Sequence, residues 1–325
     1  GGLPELKNAV QHYWTRFYNY EIQPNEILIT AGAKFALYAY FMATVDPNDE
    51  VIIPAPYWVS YVDQVKMAGG NPVIVEAKQE NNFKVTVEQL EEARTSKSKI
   101  LLLNSPSNPT GMIYSKEELT AIGDWAVAHD LLILADDIYH RLVYNGAEFT
   151  AISSLSDEIR KRTTVINGVS KTFAMTGWRI GLIFAARELV AQIIKTHQYL
   201  VTSASTQSQF AAIEALKNGA DDALPMKKEY LKRRDYIIEK MSDLGFKIIE
   251  PDGAFYIFAK IPADLEQDSF KFAVDFAKEN AVAIIPGIAF GQYGEGFVRL
   301  SYAASMDMIE QAMARLTDYV TKKRG

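Results

Sequence analysis

The chain contains no cysteine and only four histidines in 325 residues. Without thiols it can form neither disulfides nor thiolate metal sites, and four scattered imidazoles make a poor zinc set. It has no apolar run long enough to span a bilayer and no signal-peptide pattern. An excess of basic residues is missing too: 34 Lys and Arg stand against 40 Asp and Glu, a net charge of −6. Nucleic acid and anionic membrane surfaces are therefore not expected partners. Low-complexity linkers and internal repeats are absent. What remains is ordinary for a folded globular protein, 48% hydrophobic and 23% charged, and long enough for one large or two moderate domains. We expect a cytoplasmic protein.

Hydrophobic periodicity then orders the chain. Leu6, Val10, Tyr13, Trp14 and Phe17 share one face at helical spacing. Short apolar strands follow at Ile27–Thr30, Glu50–Pro54, Pro72–Glu76, Ile100–Leu103 and Leu131–Ala135, with helical stretches at Phe35–Met42, from Pro56–Tyr61 onward, and at Thr86–Arg94. Ser115-Lys116-Glu117-Glu118 is a capping box that opens a helix to about His129. Further strands at Thr163–Ile166 and Gly181–Phe184 lead to helices at Arg187–Leu200 and Ser205–Lys217. This strand-helix rhythm predicts an α/β fold with a mainly parallel central sheet and helices on both faces. Beyond Pro225 the character changes to a long charged helix, short strands near Phe246–Ile249, Ala254–Phe258, Val282–Ile285 and Phe297–Ser301, and helices near Phe270–Glu279 and from Met306. The expected division is a large domain over 1–225 and a smaller α+β C-terminal domain over 226–325.

Several loops carry chemistry. Lys171 sits among small and apolar residues, preceded by Ser170 and followed eight positions on by Arg179. Partial burial and neighbouring cations lower a lysine pKa and make the amine available for Schiff-base chemistry, and Ser170 with Arg179 could seat an anion such as a phosphate. The plain alternative is a solvated loop lysine. Ala31-Gly32-Ala33-Lys34 joins a strand to a helix whose first N–H groups are unpaired, either an anion site or an ordinary turn. Asn108, between two prolines, is presented at a defined place after a parallel strand, or simply caps its turn. Asp136 ends a buried strand, where a carboxylate is costly unless paired; a protonated ring nitrogen would suit it, and capping the next turn is the other reading. Tyr139 lies near the same place.

Taken together, these stretches resemble the fold-type I enzymes that use pyridoxal 5'-phosphate (PLP), and specifically the class I aminotransferases. The resemblance covers nearly the whole chain, in the family's order: Ala31-Gly32-Ala33-Lys34, Pro56-Tyr57-Trp58, Asn108-Pro109-Thr110-Gly111, Asp136 with Tyr139, Ser170-Lys171 through Arg179, and Val298-Arg299-Leu300-Ser301. It implies a Schiff base between Lys171 and PLP, with Lys171 then moving the proton between the substrate Cα and the cofactor. Asp136 would pair with the pyridine nitrogen, Tyr139 and Asn108 would hydrogen-bond the ring hydroxyl oxygen, and Trp58 would stack on the ring. Ser170, Arg179 and the backbone amides of Ala33 and Lys34 would hold the phosphate. Arg299, otherwise a surface strand arginine, would take the substrate α-carboxylate as a bidentate fork.

Within the family, a lysine at the position of Lys34 resembles the bacterial aspartate aminotransferases, where it contacts the distal carboxylate of a dicarboxylic substrate. The expected reaction is exchange of an amino group between L-aspartate and 2-oxoglutarate, by a ping-pong route through pyridoxamine phosphate in a homodimer. Competing readings are an aromatic or prephenate aminotransferase, a PLP β-lyase, and a non-catalytic PLP-fold module of a regulator. Two departures stand out. Gly168 occupies a place where more distant aminotransferases carry a serine, and the family's N-terminal arm precedes the point where this sequence starts.

Overall fold

The computed structural model describes residues 1–325. Its first part runs through α1 (Pro4–Tyr18), β1 (Ile27–Thr30), α2 (Ala33–Thr44), β2 (Glu50–Ala55), α3 (Ser60–Met67), β3 (Asn71–Glu76), α4 (Val87–Ala93) and β4 (Ser98–Asn104). It continues with α5 (Lys116–Ala128), β5 (Leu132–Asp136), α6 (Asp157–Arg162), β6 (Thr163–Gly168), β7 (Gly181–Phe184), α7 (Arg187–Leu200) and α8 (Thr206–Asn218). These strands form a seven-stranded sheet in the order β1-β7-β6-β5-β4-β2-β3. Every neighbour pair is parallel except those of β7, which runs antiparallel to both β6 and β1.

Alternation along each strand explains why the sheet is covered on both faces. Ile29, Ile52, Leu101, Ile133 and Val165 join one core with Leu6, Val10 and Trp14 of α1. Their strand neighbours Leu28, Ile53, Leu102, Leu134 and Ile166 join another with Leu37 and Phe41 of α2. Successive strand side chains point to opposite faces, so strands buried on both sides read as unbroken apolar runs. The parallel register sets the ends of β4, β5 and β6 side by side, with Asn104 opposite Asp136 and Asp136 opposite Ile166. Such an edge of carboxyl ends is where open α/β sheets hold ligands.

Helix α9 (Ala223–Asp243) carries the chain to a second sheet, with Pro225 inside its first turn, where a missing N–H is harmless. There follow β8 (Lys247–Ile248), β9 (Tyr256–Lys260), α10 (Ser269–Asn280), β10 (Ile285–Pro286), β11 (Phe297–Ser301) and α11 (Met306–Arg324). The four strands are all antiparallel, in the order β10-β11-β9-β8. The strand expected over Val282–Ile285 is largely absent. Side-chain exposure alternates there, yet only Ile285 and Pro286 have a ladder partner, in Arg299 and Val298. Periodicity detects an extended segment; it does not show whether a neighbouring strand is in reach. No helix is long and apolar enough to cross a membrane.

A buried ion braces the loop at which the second part of the chain meets the first. Arg234 of α9 is 2% exposed and donates through Nη1 to the Pro251 carbonyl at 2.9 Å, while Nη2 pairs with Glu250 at 2.8 Å and Asp235 at 2.6 Å. The loop so held carries Gly253, whose N–H donates to the Gly111 carbonyl at 2.8 Å, next to the Asn108 turn. Arg234→Ala leaves the Pro251 carbonyl without its donor in the interior and is expected to cost about 3 kcal/mol, measured by urea unfolding. A loss below about 1 kcal/mol would show that the guanidinium does not hold this junction.

Candidate active site

Strands β6 and β7 form a hairpin that pairs Gly168 with Gly181, and its loop carries Ser170, Lys171 and Arg179. Their spacing in the sequence is thus the two arms of one turn. Gly181 must be glycine for close approach: a Cβ there would lie 2.4 Å from the Gly32 carbonyl carbon and 2.6 Å from Ala33 N. Arg179 adopts a left-handed conformation with φ 55°, and its guanidinium lies so near Gly32 that a Cβ on that residue would be 2.3 Å from Nη2. Gly32 also has φ 91° and opens α2 with no side-chain cap, so the first N–H groups of that helix are left to a ligand. Guanidinium, helix N-terminus and the Ser170 hydroxyl together make an anion cradle. The departure at Gly168 has a packing cause: a serine Cβ would meet the Ile180 carbonyl oxygen at 2.7 Å.

A cavity of about 240 Å³ opens beside this cradle and is lined by Ala33, Lys34, Trp58, Asn108, Asp136, Tyr139, Ser170, Lys171 and Arg179. Arg299, on the second sheet, is the one predicted residue outside this lining, and it lies against two residues that belong to it, Asn108 and Tyr256. Its Nη1 donates to Asn108 Oδ1 at 2.9 Å, and its guanidinium carbon lies 4.4 Å from the Tyr256 ring centroid and 4.9 Å from that of Phe290. Arg299 Nε is buried and unpartnered, so the fork retains donors for a carboxylate. Asp136 is the one carboxylate of the lining, against the cations Lys34, Lys171 and Arg179.

Asp136 is 4% exposed and accepts from the Tyr61 hydroxyl at 2.7 Å and from the Ile138 N–H at 3.3 Å. Burial pushes its pKa up to about 6, against the pull of Tyr61, the Ile138 amide and the Lys171 charge. Lys171 shifts down: burial dominates, the charge of Arg299 adds to it, Asp136 opposes, and Arg179 adds a little more. A partly desolvated amine with a depressed pKa is available as a nucleophile or base. Burial also raises Tyr139 far above the usual phenol range. Its hydroxyl meets that of Tyr256 at 2.9 Å.

Five further residues line the cavity without having been singled out by sequence pattern: Ile138, Thr176, Tyr61, Asn104 and Tyr256. Tyr61 was read only as part of a helix start, yet a buried tyrosine needs a polar partner and Asp136 was looking for one. Asn104 ends β4 opposite Asp136 and ties the edge together, with Nδ2 donating to the Asp136 carbonyl at 2.8 Å and Oδ1 accepting from Asn108 N–H at 2.8 Å. Tyr256 had no local signal.

A lysine flanked by a buried carboxylate and an uncapped helix N-terminus, on the carboxyl edge of a mainly parallel sheet, defines the fold-type I class of PLP-dependent enzymes. Within it, the chain belongs to the aminotransferases of class I and II, whose family model matches residues 1–316. It is 47% identical to an asparagine–oxo-acid transaminase of Streptococcus mutans over 99% of this chain and 82% of that protein. Identity to an aspartate aminotransferase of Bacillus subtilis is 42%, over 99% and 83% of the two chains. The crystal structure of an aromatic aminotransferase from Pyrococcus horikoshii superposes with a TM-score of 0.96 at 37% identity, covering 99% of this chain and 87% of that one. The family is PLP-dependent, and the residues here fit that cofactor: the cradle suits a phosphate dianion, and the partly satisfied Asp136 carboxylate suits a protonated ring nitrogen.

A pH dependence follows from Asp136. The folded protein binds its proton more tightly than an unfolded aspartate of pKa 3.8 does, so the stability it contributes is fully present below that value and is lost as pH rises through about 6. In urea unfolding of the cofactor-free protein, Asp136→Asn should remove roughly 3 kcal/mol of the stability lost between about pH 4 and pH 6.5. An identical slope in variant and parent would contradict the raised pKa.

Proposed function

We propose that the protein exchanges an amino group between L-aspartate and 2-oxoglutarate by a ping-pong route, with PLP in the cavity described above. The observation that carries the substrate is Lys34. Its ammonium rests 5.0 Å from the Trp58 ring centroid in a lining whose single carboxylate, Asp136, is already engaged by Tyr61. A second cation, separate from Arg299, is what a substrate with two carboxylates requires.

Bound here, PLP supplies an electron sink for the charge left when the substrate Cα gives up its proton. Ala33 and Lys34 N–H, Ser170 and Arg179 would hold its phosphate, and Trp58 would cover the ring face. Asp136 would hold a proton at the ring nitrogen, and that cation would in turn favour the carboxylate against the desolvation that raises its pKa. Tyr139 and Asn108 hold the ring hydroxyl oxygen. Arg299 takes the α-carboxylate, and Lys171 Nζ removes the Cα proton and returns it.

A second reading, asparagine as amino donor, is favoured by the 47% identity to the Streptococcus asparagine–oxo-acid transaminase. The two separate in a visible absorption experiment on the PLP-loaded protein, given aspartate, asparagine or tyrosine without keto acid. Aspartate at low concentration should abolish the starting band. A response to asparagine alone would replace aspartate as donor, one to tyrosine alone would remove the role assigned to Lys34, and pyruvate release without keto acid would mark a lyase.

Lys34→Ala should lower kcat/KM for aspartate and 2-oxoglutarate roughly 10- to 100-fold and leave a monocarboxylic amino acid within about 3-fold. Equal losses for both classes would sink the dicarboxylate reading.

We also propose a homodimer, as the family resemblance implies. Tyr199, Phe210 and Trp178 are 91%, 58% and 45% exposed, which a partner surface would cover. Light scattering should give twice the chain mass, and a monomer at micromolar concentration would overturn the proposal.

A further inference from the structure

Tyr256 opens β9, where it pairs with Ser301 two residues along β11 from Arg299. Ala254, two residues before it, takes a left-handed turn with φ 59°. The rings of Phe255 and Tyr256 lie 4.6 Å apart, and both are near the cavity: Tyr256 lines it and Phe255 lies 5.2 Å from Lys171 Nζ. Only 6% of Tyr256 is exposed. Its ring sits under the Arg299 guanidinium at 4.4 Å, and its hydroxyl meets that of Tyr139 at 2.9 Å with the two rings edge to face.

We propose that Tyr256 is a positioning residue acting through two neighbours at once: its ring sets the plane of the Arg299 guanidinium, and its hydroxyl orients that of Tyr139. The inference rests on the roles given above to Arg299 and Tyr139. Arg299 has a single polar partner, Asn108 Oδ1, and one hydrogen bond leaves a guanidinium free to swing. Aromatic faces at 4.4 and 4.9 Å restrict it to one plane. One of the two hydroxyl hydrogens lies between the oxygens, and either tyrosine can supply it. When Tyr256 donates it, the hydrogen of Tyr139 is free to point into the cavity, and accepting a bond makes Tyr139 the stronger donor. Tyr256 thus belongs to the second sheet while serving a residue of the first, so substrate anchor and ring-oxygen partner are set by one side chain.

Two substitutions separate the two tasks. Tyr256→Phe keeps the ring and removes the hydroxyl. It should leave KM for the amino acid within about 2-fold, lower kcat roughly 3- to 10-fold, and move the pH at which the visible band of the PLP-loaded protein changes upward by roughly half a unit. Tyr256→Leu removes both and should also raise KM roughly 5- to 30-fold for every α-carboxylate substrate. An unmoved spectral midpoint in Tyr256→Phe overturns the hydroxyl's role, and an unchanged KM in Tyr256→Leu overturns the ring's. Independently of PLP, the Tyr139→Phe, Tyr256→Phe and double variants form a cycle on the unfolding equilibrium. It should show coupling of roughly 5-fold, and its absence overturns the pairing. A parent protein with no Lys171-dependent band would defeat the functional reading, while the cycle would still decide whether the hydroxyls act together.

Discussion

A carboxylate buried at the end of a central strand must find partners or give up its charge, and the site is arranged around how Asp136 meets that demand. Tyr61 comes from the helix after β2, the Ile138 amide from the turn after β5, and Lys171 from the hairpin after β6. None fully offsets the desolvation, which is why the acid stays high at about 6. A site that leaves its carboxylate under-compensated is prepared for a cationic ligand group, and the same lack of compensation keeps Lys171 low. Both shifts arise from one desolvated space.

Beside it, steric closeness does the work that charge does at Asp136. Gly32 and Gly181 let the β6–β7 hairpin press against the start of α2 with no side chain between them, and Gly168 lets the two arms of the hairpin lie close to each other. Arg179 can then lie directly over that helix N-terminus. The proposed anion seat depends as much on what Gly32 and Gly181 lack as on the arginine they admit, and a side chain added at position 168 would press on the Ile180 carbonyl oxygen beside the pairing that places Lys171.

The second sheet completes the cavity from outside. Arg299 arrives on β11, bridges to Asn108 of the first sheet and is restrained by Tyr256 and Phe290. Arg234 and the Pro251–Gly253 loop hold the same junction further out. The proposed substrate anchor is therefore only as well placed as the contact between the two sheets, and the proposed specificity for two carboxylates combines a residue of β11 with Lys34 of α2.

Much of this was legible in the residues. Unbroken apolar runs separated by helical periods announced a parallel sheet, because strands buried on both faces need no polar alternation. The capping box at Ser115 formed as read, with Ser115 Oγ accepting from Glu118 N–H, since it is a local interaction. Glycine, proline, lysine and arginine in a fixed order marked the loops that gather at the cavity. What the sequence could not reveal depends on distance in space: the antiparallel direction of β7, the missing ladder beside Val282–Ile284, the partner of Asp136 lying 75 positions away in Tyr61, and the hydroxyl pair of Tyr139 and Tyr256, 117 positions apart. Local chemistry and periodicity determine which segments form and which side chains can react. Burial, desolvation and the company each side chain keeps exist only after the sheets have packed, and those decided which tyrosine holds the carboxylate and which holds the arginine.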